Sequence, residues 1–131
     1  MTLKKLSQLY YLNREIEMDK RRLRELETMA QPGGQVLTGM PHTPGVTDKV
    51  AFYAAEIADL RGIIEAKRQQ CLYERSRLER YIASIDDSYT RQIFTYRFIN
   101  GLPWEQVAAC IGGSNTGDSC RMIATRYLER N

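Results

Sequence analysis

The chain has 131 residues, 43% of them hydrophobic and 27% charged, with a formal net charge of +3. These proportions are ordinary for a globular protein and bound it to one compact domain, or a small domain with an extended element. They permit a polyanionic partner without demanding one. No run of about 18 apolar residues occurs, so no membrane span is expected, and the charged start Met1-Thr2-Leu3-Lys4-Lys5 reads as no secretory signal. Cys71, Cys110 and Cys120 are odd in number, far apart and without a C-x-x-C pair. That pattern fits buried thiols in a reducing cytoplasm better than disulfides or zinc ligands. With His42 as the sole histidine, no metal, cofactor or His-based catalysis is expected, and the chain reads as a non-enzyme.

Residues 2–30 contain neither Pro nor Gly. Leu9, Leu12, Ile16, Leu23, Leu26 and Ala30 alternate spacings of three and four, with Asp19 on the missing step, the period of one helical face. Leu3 and Leu6 follow a shifted frame. At about 1.5 Å per residue such a helix is roughly 45 Å long, long for so small a chain. Residues 31–47 hold Pro32, Gly33, Gly34, Gly39, Pro41, Pro44 and Gly45 and read as a loop. They carry no G-x-x-x-x-G-K-[ST] and so no phosphate loop.

A second helix is expected over 48–84. Val50, Ile57, Ile64, Cys71, Leu78 and Ile85 fall on a seven-residue repeat, with Tyr53, Leu60 and Tyr81 on its companion row. A heptad seam keeps one side toward a partner helix. The companion row fails at Lys67 and Glu74, which predicts a weak or wet middle. The 31–47 loop can reverse the chain and lay the two helices together as an antiparallel, coiled-coil-like hairpin over residues 1–84. Homo-oligomerisation through the same helices is the other use of that seam. Arg75, Arg77 and Arg80 form a basic patch that reads first as a solvated face and second as a DNA-backbone contact.

Residues 85–131 read as a helix-turn-helix domain. Asp87 or Ser88 caps a helix running through Ile99; Asn100-Gly101 ends it; Pro103 sits at or just before the start of the next. Trp104, Val107, Ala108 and Ile111 form its apolar face, Gly112-Gly113 breaks it, and Asn115 with Asp118 resembles a capping box for the last helix. Cys120, Ile123 and Tyr127 or Leu128 give that helix a buried stripe. Ser114, Asn115, Thr116, Asp118, Ser119, Arg121, Met122, Thr125 and Arg126 are left at the turn or facing outward. Hydroxyls and amides bond phosphates and base edges, and arginine grips guanine bidentately. Asp118 repels phosphate but suits a helix cap or cytosine N4. Double-stranded DNA is therefore the expected partner.

The stretch Arg91-Gln92-Ile93, Arg97-Phe98, Gly101-Leu102 and Gln106-Val107-Ala108, followed by Gly112-Gly113-Ser114-Asn115-Thr116, resembles region 4 of bacterial sigma factors. Over nearly its full length the chain is similar to small phage-encoded, sigma-region-4-like transcriptional regulators, the late-gene regulators of the RinA and ArpU type. The features that carry this are Thr38-Gly39-Met40-Pro41 with Asp48-Lys49-Val50, Glu79-Arg80-Tyr81-Ile82 before Ile85-Asp86-Asp87, and Arg126-Tyr127-Leu128. It departs from sigma factors in Pro103, where Ser or Thr is usual, and in a turn about two residues longer. The resemblance implies base contacts at Asp118, Arg121 and Met122, a core of Phe98, Trp104, Val107, Ile111, Cys120 and Ile123, host RNA polymerase as a partner, and a bacterial host's cytoplasm. Two rivals stand beside this reading: a small terminase subunit, and a coiled-coil interaction or inhibitor protein that binds no DNA.

Overall fold

The computed structural model describes residues 1–31 and 44–130, and within them every regular element is helical, with no strand. In chain order these are α1 (Leu3–Leu6), α2 (Gln8–Ala30), α3 (Pro44–Ala83), α4 (Ser88–Phe94) prolonged by a π-helical turn (Thr95–Ile99), α5 (Trp104–Ile111) and α6 (Gly117–Arg130). Most of the expected 31–47 loop, the Gly-Met-Pro segment included, lies outside the described residues. Its end does not behave as a loop. Helix α3 begins at Pro44, because proline's fixed φ suits the first helical position and its missing N–H costs nothing there.

Contacts divide the chain into two units: a middle unit of residues 14–69, and a terminal unit of residues 1–13 with 70–131. Residues 1–13 and 70–84 thus group with 85–131.

In the middle unit, Arg61 meets Glu27 at 3.1 Å, and Lys67 meets Asp19 at 2.5 Å and Glu15 at 3.1 Å. Later residues of α2 face earlier residues of α3, so the two run antiparallel here. The buried positions follow the expected rows. Ile16, Leu26 and Ile64 are buried, and Leu23, Ile57 and Leu60 are half-buried between them. Val50, at the start of the row, remains 46% exposed. The polar steps in the two rows coincide in space: Asp19 interrupts α2, Lys67 interrupts α3, and each partners the other. The weak middle of the seam is an ion pair.

The terminal unit holds a continuous core of Leu6, Leu9, Leu78, Ile82, Ile85, Ile93, Phe94, Phe98, Val107, Ala108, Cys120 and Ala124. Phe94 is its centre, fully buried, stacked on Tyr81 and edge-on to Phe98 and Tyr127. Burying a side chain of that size contributes on the order of 1.5–3 kcal/mol. The frame shift at the N-terminus appears as a break at Ser7 between α1 and α2, which buries Leu6 and leaves Leu3 exposed. Glu74, the other polar step of α3, pairs with Arg77 at 2.8 Å on its own helix.

Asp87 caps α4, accepting from the backbone N–H groups of Tyr89 and Thr90 and from the Thr90 hydroxyl at 2.7 Å. Arg91 fastens the preceding turn by donating to the carbonyls of Ile85 and Asp86. The helix expected to run unbroken to Ile99 widens after Phe94, where Asn100 N–H bonds the carbonyl of Thr95, five residues back. Gly101 then takes φ +71°, the left-handed conformation that ends a helix without steric cost.

Candidate nucleic-acid interface

Helices α5 and α6 are set by three local devices. Pro103 stands at the N-cap of α5, with its carbonyl accepting from Gln106 and Val107 at 2.9 and 3.0 Å. Trp104 is half-buried, edge-on to Phe98 and covered on one face by the Arg97 guanidinium, 4.7 Å from the ring centre. Arg97 also donates to the Leu102 carbonyl at 3.0 Å, which holds the turn before α5. Of the expected core, Phe98, Val107 and Cys120 are buried, whereas Trp104, Ile111 and Ile123 are half-buried at its rim. Ala124, absent from that expectation, is buried in their place.

The turn from α5 to α6 runs through Gly112 and Gly113, both at positive φ (+85° and +70°). Asn115 is drawn inward: its amide donates to the Gly112 carbonyl at 2.7 Å, and its side-chain oxygen accepts from the Tyr89 hydroxyl. This corrects the expected capping box. The cap of α6 is Thr116 with Ser119, one residue later. Ser119 N–H donates to Thr116 Oγ1 at 3.1 Å, and Thr116 N–H donates to Ser119 Oγ at 3.0 Å. Asn115 cannot cap because both ends of its side chain are engaged elsewhere.

Gly117 opens α6 and is buried. A Cβ there would approach Glu105 to 2.8 Å at Cδ and 3.2 Å at the backbone nitrogen, so α5 and α6 touch through a glycine. Neither Tyr89 nor Gly117 is legible as part of the site from local pattern. The Thr116-x-x-Ser119 spacing is a readable cap signal that its polar neighbours Asn115 and Asp118 obscure.

Along α6, Gly117, Cys120 and Ala124 form the buried stripe, and Asp118, Arg121, Met122, Thr125 and Arg126 are exposed. Ser114 and Thr116 are also exposed, Ser119 is half-exposed, and Asn115 faces the turn. The nine expected contact residues therefore divide in three. Asn115, Thr116 and Ser119 build the turn and cap. Ser114 and Asp118 border it. Arg121, Met122, Thr125 and Arg126 make an outward face. Asp118 and Arg121 lie 3.9 Å apart, both well exposed, a weak surface pair that leaves the guanidinium available. The Thr125 hydroxyl donates back to the Arg121 carbonyl at 2.9 Å. Burial pushes the Cys120 thiol above its ordinary range, so it packs as a small apolar group.

Of the basic patch on α3, Arg75 pairs with Glu79 at 2.9 Å and Arg77 with Glu74. Only Arg80 is without an acidic partner there; it donates to Ser76. No described helix is long and apolar enough to cross a membrane. No protein-family model, curated protein or solved structure matches the chain.

Proposed function

We propose that this chain is a sequence-specific DNA-binding regulator of the phage type, a helical hairpin joined to a helix-turn-helix in which α6 enters the major groove. The observation that carries the reading is the two-sidedness of α6. Its Gly117–Cys120–Ala124 stripe is buried, and the rest of its surface, from Arg121 at the edge of that stripe round through Met122, Thr125 and Arg126, is open to solvent. A recognition helix needs that division, together with a fixed first turn, because its N-terminal residues must reach base edges at a set angle. The Thr116–Ser119 cap and the Asn115–Tyr89 tether supply the fixed turn.

In this reading Arg121 reads a base, by preference a guanine through O6 and N7; Met122 packs on base methyl groups; Ser114, Thr125 and Arg126 hold phosphates. Asp118 steers Arg121 and excludes phosphate from its own position. The similarity to sigma region 4 extends the proposal to action on or with host RNA polymerase, in a bacterial cytoplasm. The protein works as a homo-oligomer, since a two-fold site requires two recognition helices. Beyond Val50, the seam of α3 is covered within the chain, so association uses what stays exposed off it: Phe52 and Ile63 in the middle unit, Leu72 and Tyr73 in the terminal unit.

The experiment is selection from a random duplex pool by the purified protein, read by sequencing. The proposal expects one enriched motif. A pool that stays random, with no retention above a non-binding control, supports instead an interaction protein that uses those exposed apolar side chains.

A further inference from the structure

The charge of the chain is unevenly placed. Residues 85–131 carry five arginines (Arg91, Arg97, Arg121, Arg126, Arg130) against five carboxylates (Asp86, Asp87, Glu105, Asp118, Glu129), so the segment containing α6 is neutral. The middle unit is neutral as well, with nine basic and nine acidic residues. The whole excess of +3 therefore comes from residues 1–13 and 70–84, which fold into the same unit as α6. Two of the five cations there are neutralised on their own helix, Arg75 by Glu79 and Arg77 by Glu74. Lys4, Lys5 and Arg80 remain, all exposed and without a carboxylate partner among the described residues.

These three flank one shared core: Leu6, next to Lys5, is packed in it with Leu78 and Ile82, on either side of Arg80. The Cys71 thiol donates to Asn13 Oδ1 at 3.6 Å, while the earlier Leu6 and Leu9 share a core with the later Leu78 and Ile82. The two helical segments of this pairing are thus antiparallel. Thr2 fixes the basic segment, accepting from the Lys5 N–H at 3.2 Å.

A neutral recognition segment gains little from the polyelectrolyte term that dominates protein–DNA affinity. From this charge distribution we infer that Lys4, Lys5 and Arg80, in the same unit as α6, form a phosphate-binding clamp for the DNA backbone. The inference rests on the DNA-binding reading above. The clamp supplies affinity and positioning, and α6 supplies sequence preference.

The test is a titration of the full chain with two labelled duplexes, the enriched one and a random-sequence pool, over a series of salt concentrations. Each phosphate contact contributes about 0.9 to the slope of log K against log salt. Lys4→Gln with Lys5→Gln should lower that slope by about 2, and Arg80→Gln by about 1, for both duplexes alike, leaving the ratio of their affinities unchanged. Arg21→Gln with Arg24→Gln removes the same charge from exposed positions of the middle unit and should leave the slope at its wild-type value. All these side chains are exposed, and circular dichroism checks that the variants stay folded. Wild-type slopes in the Lys4/Lys5 and Arg80 variants would overturn the clamp while the DNA reading stands. Equal losses in the Arg21/Arg24 control would also overturn it, by showing a diffuse charge effect. If the wild-type chain binds neither duplex at low salt, the DNA reading itself falls, and the clamp with it.

Discussion

Gly117 shows how much of this molecule turns on single atoms. Its φ is not in the left-handed region, so the glycine is there for space: a Cβ would press on Glu105. Alanine would gain about 1 kcal/mol of helix propensity but pay an overpacking cost of about 1–3 kcal/mol. We expect Gly117→Ala to lose about 1 kcal/mol in denaturant unfolding, and Gly117→Ala with Glu105→Ala to recover most of it, since the crowding atoms nearest the Cβ belong to the Glu105 side chain. Strict additivity of the two substitutions would refute that contact. Asp87 gives a second test at this scale. The Thr90 hydroxyl, then the Thr90 and Tyr89 N–H groups and the charge of Arg91, hold its carboxyl below the ordinary aspartate range. A carboxyl depressed in the folded state contributes stability above its unfolded pKa and loses it as pH falls through the folded one. The cap should therefore persist at pH 4–5 and fail only in stronger acid. A carboxyl-carbon titration by NMR should place the Asp87 midpoint below about 3.9; a midpoint above that would remove the cap from the account.

Between elements, the most specific contact is the meeting of Asp19 and Lys67 inside an otherwise apolar seam. Both side chains are about three-quarters buried, and their hydrogen bonds, with that to Glu15, raise the Lys67 pKa. Removing one partner strands the other, whereas replacing both with apolar side chains does not. Lys67→Leu and Asp19→Leu should each cost about 1–2 kcal/mol, and the double leucine variant should match or exceed wild-type stability. A double variant as unstable as the sum of the two singles would show that the charges do not act on each other. The rows themselves were legible in the sequence, because a helix face buried on one side must repeat every three or four residues, and Asp19, Lys67 and Glu74 were visible as gaps. That Asp19 and Lys67 fill each other's gap was not legible: they are 48 residues apart, and matching them requires the pairing register. The cap of α6 was misplaced for the same reason. Asn115 looks like a cap until Tyr89, 26 residues earlier, takes its oxygen. The π turn after Phe94 has no local signature, since Thr95–Ile99 are residues that an ordinary helix also accepts.

Taken whole, the chain keeps its charge excess and its largest core in the terminal unit, and gives the middle unit a neutral, paired pair of helices. The heptad row invites a dimer, yet its buried members are covered by the chain's own α2 and terminal core. Association then falls to the exposed Phe52 and Ile63: we expect light scattering to find a dimer or larger species of the intact protein at tens of micromolar, and Phe52→Ser with Ile63→Ser to lower its mass without loss of helix. A monomeric wild type would contradict the oligomer. DNA contact by α6 remains the central claim, and one substitution addresses it directly. Arg121 is exposed on α6, its guanidinium 3.9 Å from the exposed Asp118, so truncating it disturbs no core. Arg121→Ala should be titrated at fixed salt against the enriched duplex and against a set of single-base variants of it. The account predicts a loss of about 1–3 kcal/mol on the enriched duplex and a relaxed preference at one base position, with the other positions still discriminated. Wild-type affinity together with an unchanged preference at every position would contradict it.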